Sequence, residues 1–270
     1  MSDQKTNFTD ALSLLKKNAE QRSYDIWVPS LNQNVKFRPL TTLHHKKFVK
    51  SLIDSSLFTT ALNLHIYDVI KQSCLDSSID IDNLTVFDKL AICFALRKHN
   101  FKKSYSVMLS EDEIRDISLD DLLASFKKKY KDVEPGEITE DSLTIKMTLP
   151  TLKREREFDA YIFSKHLSNL NKSDENQVNQ VLADLVLYGS IVYIDSLQIG
   201  DQFVDFSTLR VDQKVELIGN LDALIFNSLN EYIQKCTEAR GSLCSVEING
   251  LDDKPLNVEI AIDAGFFIDE

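Results

Sequence analysis

The chain has 270 residues, 43% of them hydrophobic and 27% charged, which is enough to bury one large or two ordinary cores and argues against disorder throughout. With only 7 glycines and 5 prolines, the composition favours helices joined by polar loops and leaves no glycine-rich phosphate loop. Residues 174–270 hold 18 Asp/Glu and 5 Lys/Arg, whereas residues 1–173 hold 24 Asp/Glu and 26 Lys/Arg. This charge balance argues against general nucleic-acid binding, which needs a net basic face.

The front of the chain predicts a β-hairpin between helices. Residues 8–21 have the periodicity of a short amphipathic helix, and the alternating runs "YDIWV" and "VKFR" around "PSLNQN" predict a hairpin over residues 24–38. Pro39 ends the second strand because it cannot donate to a ladder, and Thr41 or Thr42 can cap the helix that follows. Further helices are predicted over residues 58–73 and 85–98.

The middle and back of the chain alternate short strands with helices. "KSYSVML" is a candidate strand, Ser118 is the expected N-cap of "LDDLLASFKKKY", and "EPGEITEDS" reads as a linker before the strand "LTIKMTLP". Helices are then predicted from "TLKREREFDAYIFSKHL", from the apolar stripe between Val178 and Val192, and near 211–218 and 221–236. Two hairpins, over 196–206 across Gly200–Asp201 and over 243–261, complete the pattern.

The fold class that these elements predict is α+β, mostly helical with several small β-hairpins. Three regions are expected: a hairpin-plus-helices region over residues 1–104, a middle region over 105–172 with a linker near 132–142, and an acidic helical region over 173–270 that ends in a β-hairpin. The pattern V-x-F-x-x-L occurs both in Val35–Leu40 and in Val204–Leu209. The shared pattern indicates either an internal duplication or the same strand-turn-helix structure formed independently at two places in the chain.

No residue pattern predicts a catalytic or metal site. Adjacent His44 and His45 point about 100° apart on a helix and cannot face one metal, and Cys236 and Cys244 lack a second ligand pair at zinc spacing. Nucleophile elbows, Walker loops and dinucleotide fingerprints are missing from the sequence. We therefore expect no catalytic residues, no metal ligands, no cofactor and no small-molecule substrate. A metal-containing or hydrolytic enzyme that uses the Cys and His residues stays an alternative.

Two segments are candidates for contact with a partner. His45 and Lys46 lie on a helix with further lysines, which is typical of a wet or partner-facing surface. Close to its end the chain also carries the apolar residues Phe266, Phe267 and Ile268, although the ends of chains are usually polar. This tail is expected to dock either into its own core or into a partner.

The expected cellular compartment follows from two patterns that the sequence lacks, a membrane span and a signal peptide. No apolar run approaches the roughly 20 residues that span a bilayer. The start "MSDQKTNFTD" has no signal-peptide pattern, so the four cysteines are expected to be reduced thiols in a cytoplasm.

Three quoted stretches resemble a known family. They are "VPSLNQNVKFRPLTTLHHKKFVKSLID", "YGSIVYIDSLQIGDQFVDFSTLRVDQKVELI" and the closing "IDAGFFI". In this order they resemble the baseplate hub subunit and hub assembly family of T-even-like contractile-tailed bacteriophages, with residues of about 104–172 unmatched.

The resemblance implies a non-enzymatic structural or assembly protein of a phage baseplate hub. Its partners would be other hub and tail proteins, with no nucleic acid and no membrane, and it would act in the host cytoplasm during assembly or in the virion tail baseplate. A phage-encoded adaptor or tail assembly chaperone that is absent from the virion stays an alternative.

Overall fold

The computed structural model describes residues 8–54, 59–110, 113–168, 170–171, 173–250, 254–263 and 265–268, with the side chains of residues 19, 20 and 52–54 left out. Within these residues the fold is α+β and mostly helical, as predicted. The helices are α1 (Phe8–Gln21), α2 (Thr42–Asp54), α3 (Thr60–Ser73), α4 (Val86–Asn100), α5 (Leu119–Lys129), α6 (Leu152–Ile162), α7 (Glu175–Tyr188), α8 (Val211–Gly219) and α9 (Ala223–Cys244). The strands are β1 (Tyr24–Val28), β2 (Gln33–Phe37), β3 (Ser104–Ser110), β4 (Glu113–Ser118), β5 (Gly136–Glu140), β6 (Leu143–Met147), β7 (Ile194–Ile199), β8 (Gln202–Asp205), β9 (Ser245–Asn249) and β10 (Pro255–Glu259).

The strands form antiparallel sheets. β1–β2, β3–β4 and β9–β10 are two-stranded, and β5, β6, β7 and β8 form one sheet in that order. The three predicted hairpins are confirmed, and Gly200 makes the β7–β8 turn with a φ of +56° that favours glycine. The segment near 132–142, predicted as a linker, contains strand β5, which pairs along β6. The division of the chain into three regions stays a prediction.

The first core collects buried side chains from β1 through α5 and from the end of the chain. Helix α4 runs through it and is buried on nearly every side, from Phe87 to Arg97. A capping box begins this helix: the Thr85 hydroxyl accepts from the Asp88 backbone N–H, and the Asp88 carboxylate accepts from the Thr85 backbone N–H. The chain end returns to the same core through Leu243, Cys244, Ile260, Phe266 and Phe267.

The second core lies under the four-stranded sheet and is covered by α6, α8 and α9. Gly136 begins β5 where a Cβ would come 2.7 Å from Tyr232 Cδ2 and 2.8 Å from Met147 Cε, so the close approach requires glycine. The last helix of this core is longer than predicted: α9 continues past Cys236 to Cys244. Gly241 costs a helix about 1 kcal/mol relative to alanine, and the burial of Leu243 and Cys244 beyond it favours continuation.

The two V-x-F-x-x-L segments occupy different structures. Val35 and Phe37 are buried in strand β2, whereas Phe206 begins a 3₁₀ helix directly after strand β8. The same letters therefore do not mark equivalent positions.

Candidate functional site

The apolar residues Phe266 and Phe267 lie inside the first core. Phe266 and Phe267 belong to the 3₁₀ turn Gly265–Phe267 and are both 0% exposed. The Phe267 ring stacks on Phe48 with centroids 4.2 Å apart, and the Phe266 ring meets Phe94 edge-on at 5.7 Å. Of the two placements that the sequence left open, the structure has the tail in the chain's own core. Partner binding by Phe266 and Phe267 stays a prediction, and it would require the turn to leave this core.

Arg97 connects this tail to helix α4. Its guanidinium donates to the Phe266 carbonyl oxygen and lies 5.1 Å from the Phe266 ring centroid and 5.3 Å from that of Tyr105. The side chain is buried, so the cation–π contacts act where water screens little. Ile268, the third predicted tail residue, is half-buried and lines a shallow cleft of about 250 Å³ together with Arg97, Lys102 and Tyr105. The tail is thus held by a specific polar bond as well as by packing.

The adjacent residues His44 and His45 lie in different surroundings. His44 is buried: its Nδ1 accepts from the Thr41 backbone N–H at 3.2 Å and its Nε2 lies 3.2 Å from Gln72 Oε1. Burial lowers the pKa of His44 and favours the neutral ring. His45 is half-buried beside Phe101, with ring centroids 5.8 Å apart, and Lys46 is exposed.

His45 borders an open cleft of about 390 Å³ at the start of α2. The cleft is lined by Leu40, Thr41, Thr42, His45, Asn100 and Phe101. Thr41 is the N-cap of α2, because its hydroxyl accepts from the His44 backbone N–H at 3.3 Å. Of the five predicted partner residues, the structure therefore places Phe266 and Phe267 in the core and His45 at the edge of a surface cleft.

The cysteines are unsuited to nucleophilic chemistry. Cys93, Cys236 and Cys244 are buried and Cys74 is half-buried, and all four are free thiols. Burial raises the pKa of Cys93 to about 12 and that of Cys244 to about 11, so both thiols are protonated near neutral pH. Among the described residues, no group of three or more His, Cys, Asp and Glu side chains has a metal-binding arrangement.

A buried polar cluster on α6 was missed by sequence reasoning. Lys89 from α4 forms an ion pair with Glu155, and Lys214 from α8 lies 3.8 Å from Glu157. Asp159, one turn after Glu155, has its pKa raised to about 8, mainly by burial and then by the charge of Glu155. No catalytic or metal-binding motif marks these residues, and lysines and carboxylates at such spacings usually lie on solvated helix faces.

This cluster is better explained as structural than as catalytic. Carboxyl groups with a raised pKa occur at active sites, but buried ion-pair networks raise them as well. Here the lysines come from helices of the first and second cores, and both reach α6. The cluster therefore joins the two cores through one helix.

Apolar and acidic side chains are exposed on separate parts of the surface. Phe8, Leu12 and Leu15 follow each other at helical spacing on α1 and are 82%, 42% and 67% exposed. Acidic side chains are exposed over the back of the chain, on α8, α9 and β9 among others. Among the described residues no helix combines the length and the apolar character needed to cross a bilayer. The described part of the chain thus exposes apolar side chains on α1 and acidic side chains toward the back of the chain.

Comparison with known proteins identifies the family. The model of the family described as T4 bacteriophage base plate protein matches residues 21–243, which is most of the chain. The chain belongs to this family and is a bacteriophage baseplate protein. Comparisons with curated proteins and with solved structures gave no match.

Proposed function

We propose that this baseplate protein is a non-enzymatic structural or assembly component of the central hub, which acts through contacts with other hub and tail proteins. The observation that carries the proposal is the family match over residues 21–243. The narrower assignment to the hub rests on the resemblance of the front, back and closing segments to hub proteins. Its place would be the host cytoplasm during assembly and then the tail baseplate.

The absence of enzymatic activity belongs to the same proposal. The chain would need no cofactor and would bind no nucleic acid, membrane or small-molecule substrate. Support comes from the buried, protonated thiols and from the histidine His44, whose ring nitrogens both lie at hydrogen-bond distance from Thr41 and Gln72. A net acidic back half is also unfavourable for contact with phosphate backbones.

Charge and exposed apolar side chains supply the contact surfaces. Residues 174–270 carry 18 acidic and 5 basic side chains. These like charges repel each other in the free protein, and they favour docking on a positively charged tail protein. The apolar side of α1 supplies a second surface. His45, Lys46 and Ile268 are the predicted partner contacts that an incoming protein can reach in this fold.

Association kinetics with purified hub proteins would test the charge argument. We expect the association rate to fall as salt rises, because the Debye length shortens to about 8 Å at physiological ionic strength. Replacing Asp212, Glu216 and Glu231 by their amides should slow association. The matched control replaces three exposed acids from residues 1–173, Asp25, Glu137 and Glu140, and should leave the rate nearly unchanged.

Two outcomes would contradict the proposal. A rate that is the same at low and high salt would remove the role of charge. A chain that binds none of the purified hub proteins would remove the hub assignment itself. Mass spectrometry of purified virions then separates a resident subunit from an assembly chaperone, because only the former stays in the particle.

A further inference from the structure

Two stretches of the chain begin with the same strand-turn-helix unit. Hairpin β1–β2 leads into α2, capped by Thr41, and hairpin β5–β6 leads into α6, capped by Thr151, whose hydroxyl accepts from the Arg154 backbone N–H at 3.4 Å. The caps are 110 residues apart, and buried apolar residues recur at the same offset. The pairs are Val35 and Ile145, Phe37 and Met147, and Phe48 and Phe158.

In both stretches the chain comes back to its hairpin in the same way after two helices. After α2 and α3, the Arg38 backbone N–H donates to the Ser73 carbonyl at 2.9 Å, and Cys74 forms an antiparallel bridge to Phe37. After α6 and α7, the Thr148 backbone N–H donates to the Tyr193 carbonyl at 2.8 Å, and β7 continues along β6. In both units the returning chain pairs with the second strand of the hairpin, through the single bridge at Cys74 in the first unit and through strand β7 in the second.

Each unit ends with a 3₁₀ turn and a helix that carries a buried lysine. The Asp80 side chain accepts from the Asp82 backbone N–H and the Asp205 side chain accepts from the Ser207 backbone N–H, at the start of the two turns. The sequences Asp80–Leu90 and Asp205–Val215 share the pattern D-Φ-x-x-L-x-V-x-x-K-Φ, where Φ is apolar. Lys89 and Lys214 are the fourth residues of α4 and α8 and are 8% and 5% exposed.

These equivalences define two copies of one module. Module 1 is the described part of residues 24–100 and module 2 that of residues 136–219. Both modules have a capped helix after the hairpin, a return of the chain to the second hairpin strand, and a capped 3₁₀ turn before the last helix. All occur in the same order, so one repeated unit explains them better than separate coincidences.

Module 1 docks on module 2 through the segment that precedes α4. The Val86 backbone N–H donates to the Pro150 carbonyl at 3.1 Å, and the Leu152 N–H donates to the Leu84 carbonyl at 2.7 Å. These bonds make an antiparallel bridge between Thr85 and Thr151, and the ion pair between Lys89 and Glu155 lies beside it. The segment before α4 therefore pairs with the segment before α6.

The two equivalent segments lie apart in this chain. In module 1, Leu40–Thr42 corresponds to Pro150–Leu152 and lines the open cleft of about 390 Å³ beside His45. In module 2, Leu209–Val211 corresponds to Leu84–Val86, and Arg210 at its centre is exposed. Within the described ranges neither segment takes part in a β-bridge. Module 1 thus has an open acceptor site, and module 2 has an open donor segment.

We propose that Leu209–Val211 of one chain docks in the cleft at Leu40–Thr42 of a second copy and repeats the contact between the modules. The occupant is a second copy because this chain carries the repeated donor sequence itself. Charge favours the same arrangement through Lys46, which is exposed beside His45, and Glu216, which is exposed on α8, whereas Asp212 is already paired with Arg210 at 2.8 Å. Such a contact joins different surfaces of two copies, so it leads to a closed ring or an open filament.

One difference between the modules agrees with this arrangement. Glu155, which pairs with Lys89, corresponds to His45 in module 1. Lys214 of an incoming copy would need no carboxylate at that position, because Glu157 of its own module lies 3.8 Å from it. The inference concerns the chain alone and does not depend on the proposed hub function.

Disulfide trapping of the purified full-length chain tests the contact. One variant carries Thr41→Cys and a second variant carries Arg210→Cys. Both also carry Cys74→Ser, which removes the half-buried thiol. The two purified variants are mixed under mild oxidation. Residues paired across an antiparallel bridge have Cα atoms about 4.5–5.5 Å apart, which suits a disulfide. We expect a covalent dimer in the mixture and none in either variant alone.

Two controls make the result decisive. Thr85→Cys with Thr151→Cys in one chain should close an intramolecular disulfide, since these residues form the observed bridge. Thr41→Cys mixed with Glu231→Cys, an exposed residue on α9, measures random collision. The proposal is overturned if the Thr41/Arg210 mixture gives no more dimer than the Thr41/Glu231 mixture. Failure of the Thr85/Thr151 pair to close contradicts it as well, because the contact to be repeated would then have the wrong geometry.

Discussion

Removing the ring of Phe267 is expected to destabilise the first core strongly. The side chain is 0% exposed and stacks on Phe48 at 4.2 Å. Burying an aromatic ring removes about 150–250 Å² from water, worth about 4–6 kcal/mol at about 25 cal/mol per Å² as an upper estimate. Core Phe→Ala changes cost about 3–5 kcal/mol, so we expect Phe267→Ala to lower the free energy of unfolding by this amount.

Thermal unfolding followed by circular dichroism measures the effect. With an unfolding entropy of about 2.1 cal/mol/K per residue, a chain of 270 residues should lose roughly 5–9 °C in Tm. The matched control is Phe203→Ala, because Phe203 is 66% exposed and its loss should change stability by less than about 0.5 kcal/mol. Equal Tm values for the two variants would refute the claim that the tail is part of the core. Deleting residues 264–270 should cost more than Phe267→Ala, since Phe266 is lost too.

Three further changes test the contacts around α6 and β5. The carboxyl of Asp159 has its pKa raised from 3.8 to about 8 in the fold, so its stabilisation is complete below the lower pKa and is lost as pH rises through the upper one. Asp159→Asn cannot ionise, and its Tm relative to the unmodified chain should rise from about pH 5 to about pH 8; a constant difference would contradict the raised pKa. Glu155→Gln leaves the lysine of α4 buried without its charge partner and should lower the free energy of unfolding in urea by about 3–5 kcal/mol. The double variant Lys89→Met with Glu155→Leu removes both charges and should lose less stability. Equal losses of stability in the two variants would argue against the buried pair. Gly136→Ala should cost about 1–3 kcal/mol by overpacking, and an unchanged unfolding midpoint would show that the close approach to Tyr232 is absent.

Local chemistry was sufficient to predict the hairpins and many of the helices. Pro39 marks the end of β2, Ser118 caps α5, and Gly200 allows the β7–β8 turn, each through the conformation of its own backbone. Strand β5 was missed because "GEITE" has one large apolar residue, and its strand forms by pairing along β6. The prediction that this helix ends near residue 236 is wrong, because α9 continues to Cys244, and Leu243 and Cys244 pack in the first core among residues distant in sequence.

The buried charges could not be predicted from local patterns. Lys89, Lys214 and Asp159 lie on helices with ordinary polar spacing, and their burial depends on which helix packs against them. The repeat is partly visible in the sequence, as the pattern shared by Asp80–Leu90 and Asp205–Val215. The V-x-F-x-x-L similarity pointed to other positions, because two residues of a strand and the first residue of a 3₁₀ helix can show the same letters.

The most direct test of the central claim follows the chain through an infection. Lysates of infected cells are fractionated by sedimentation, and the chain is measured by quantitative mass spectrometry in the baseplate and hub fractions and at the position of the free protein. The account predicts that the chain sediments with the other hub proteins in a fixed ratio. A chain found solely at the position of free protein throughout infection, in neither hub nor tail fractions, would contradict it.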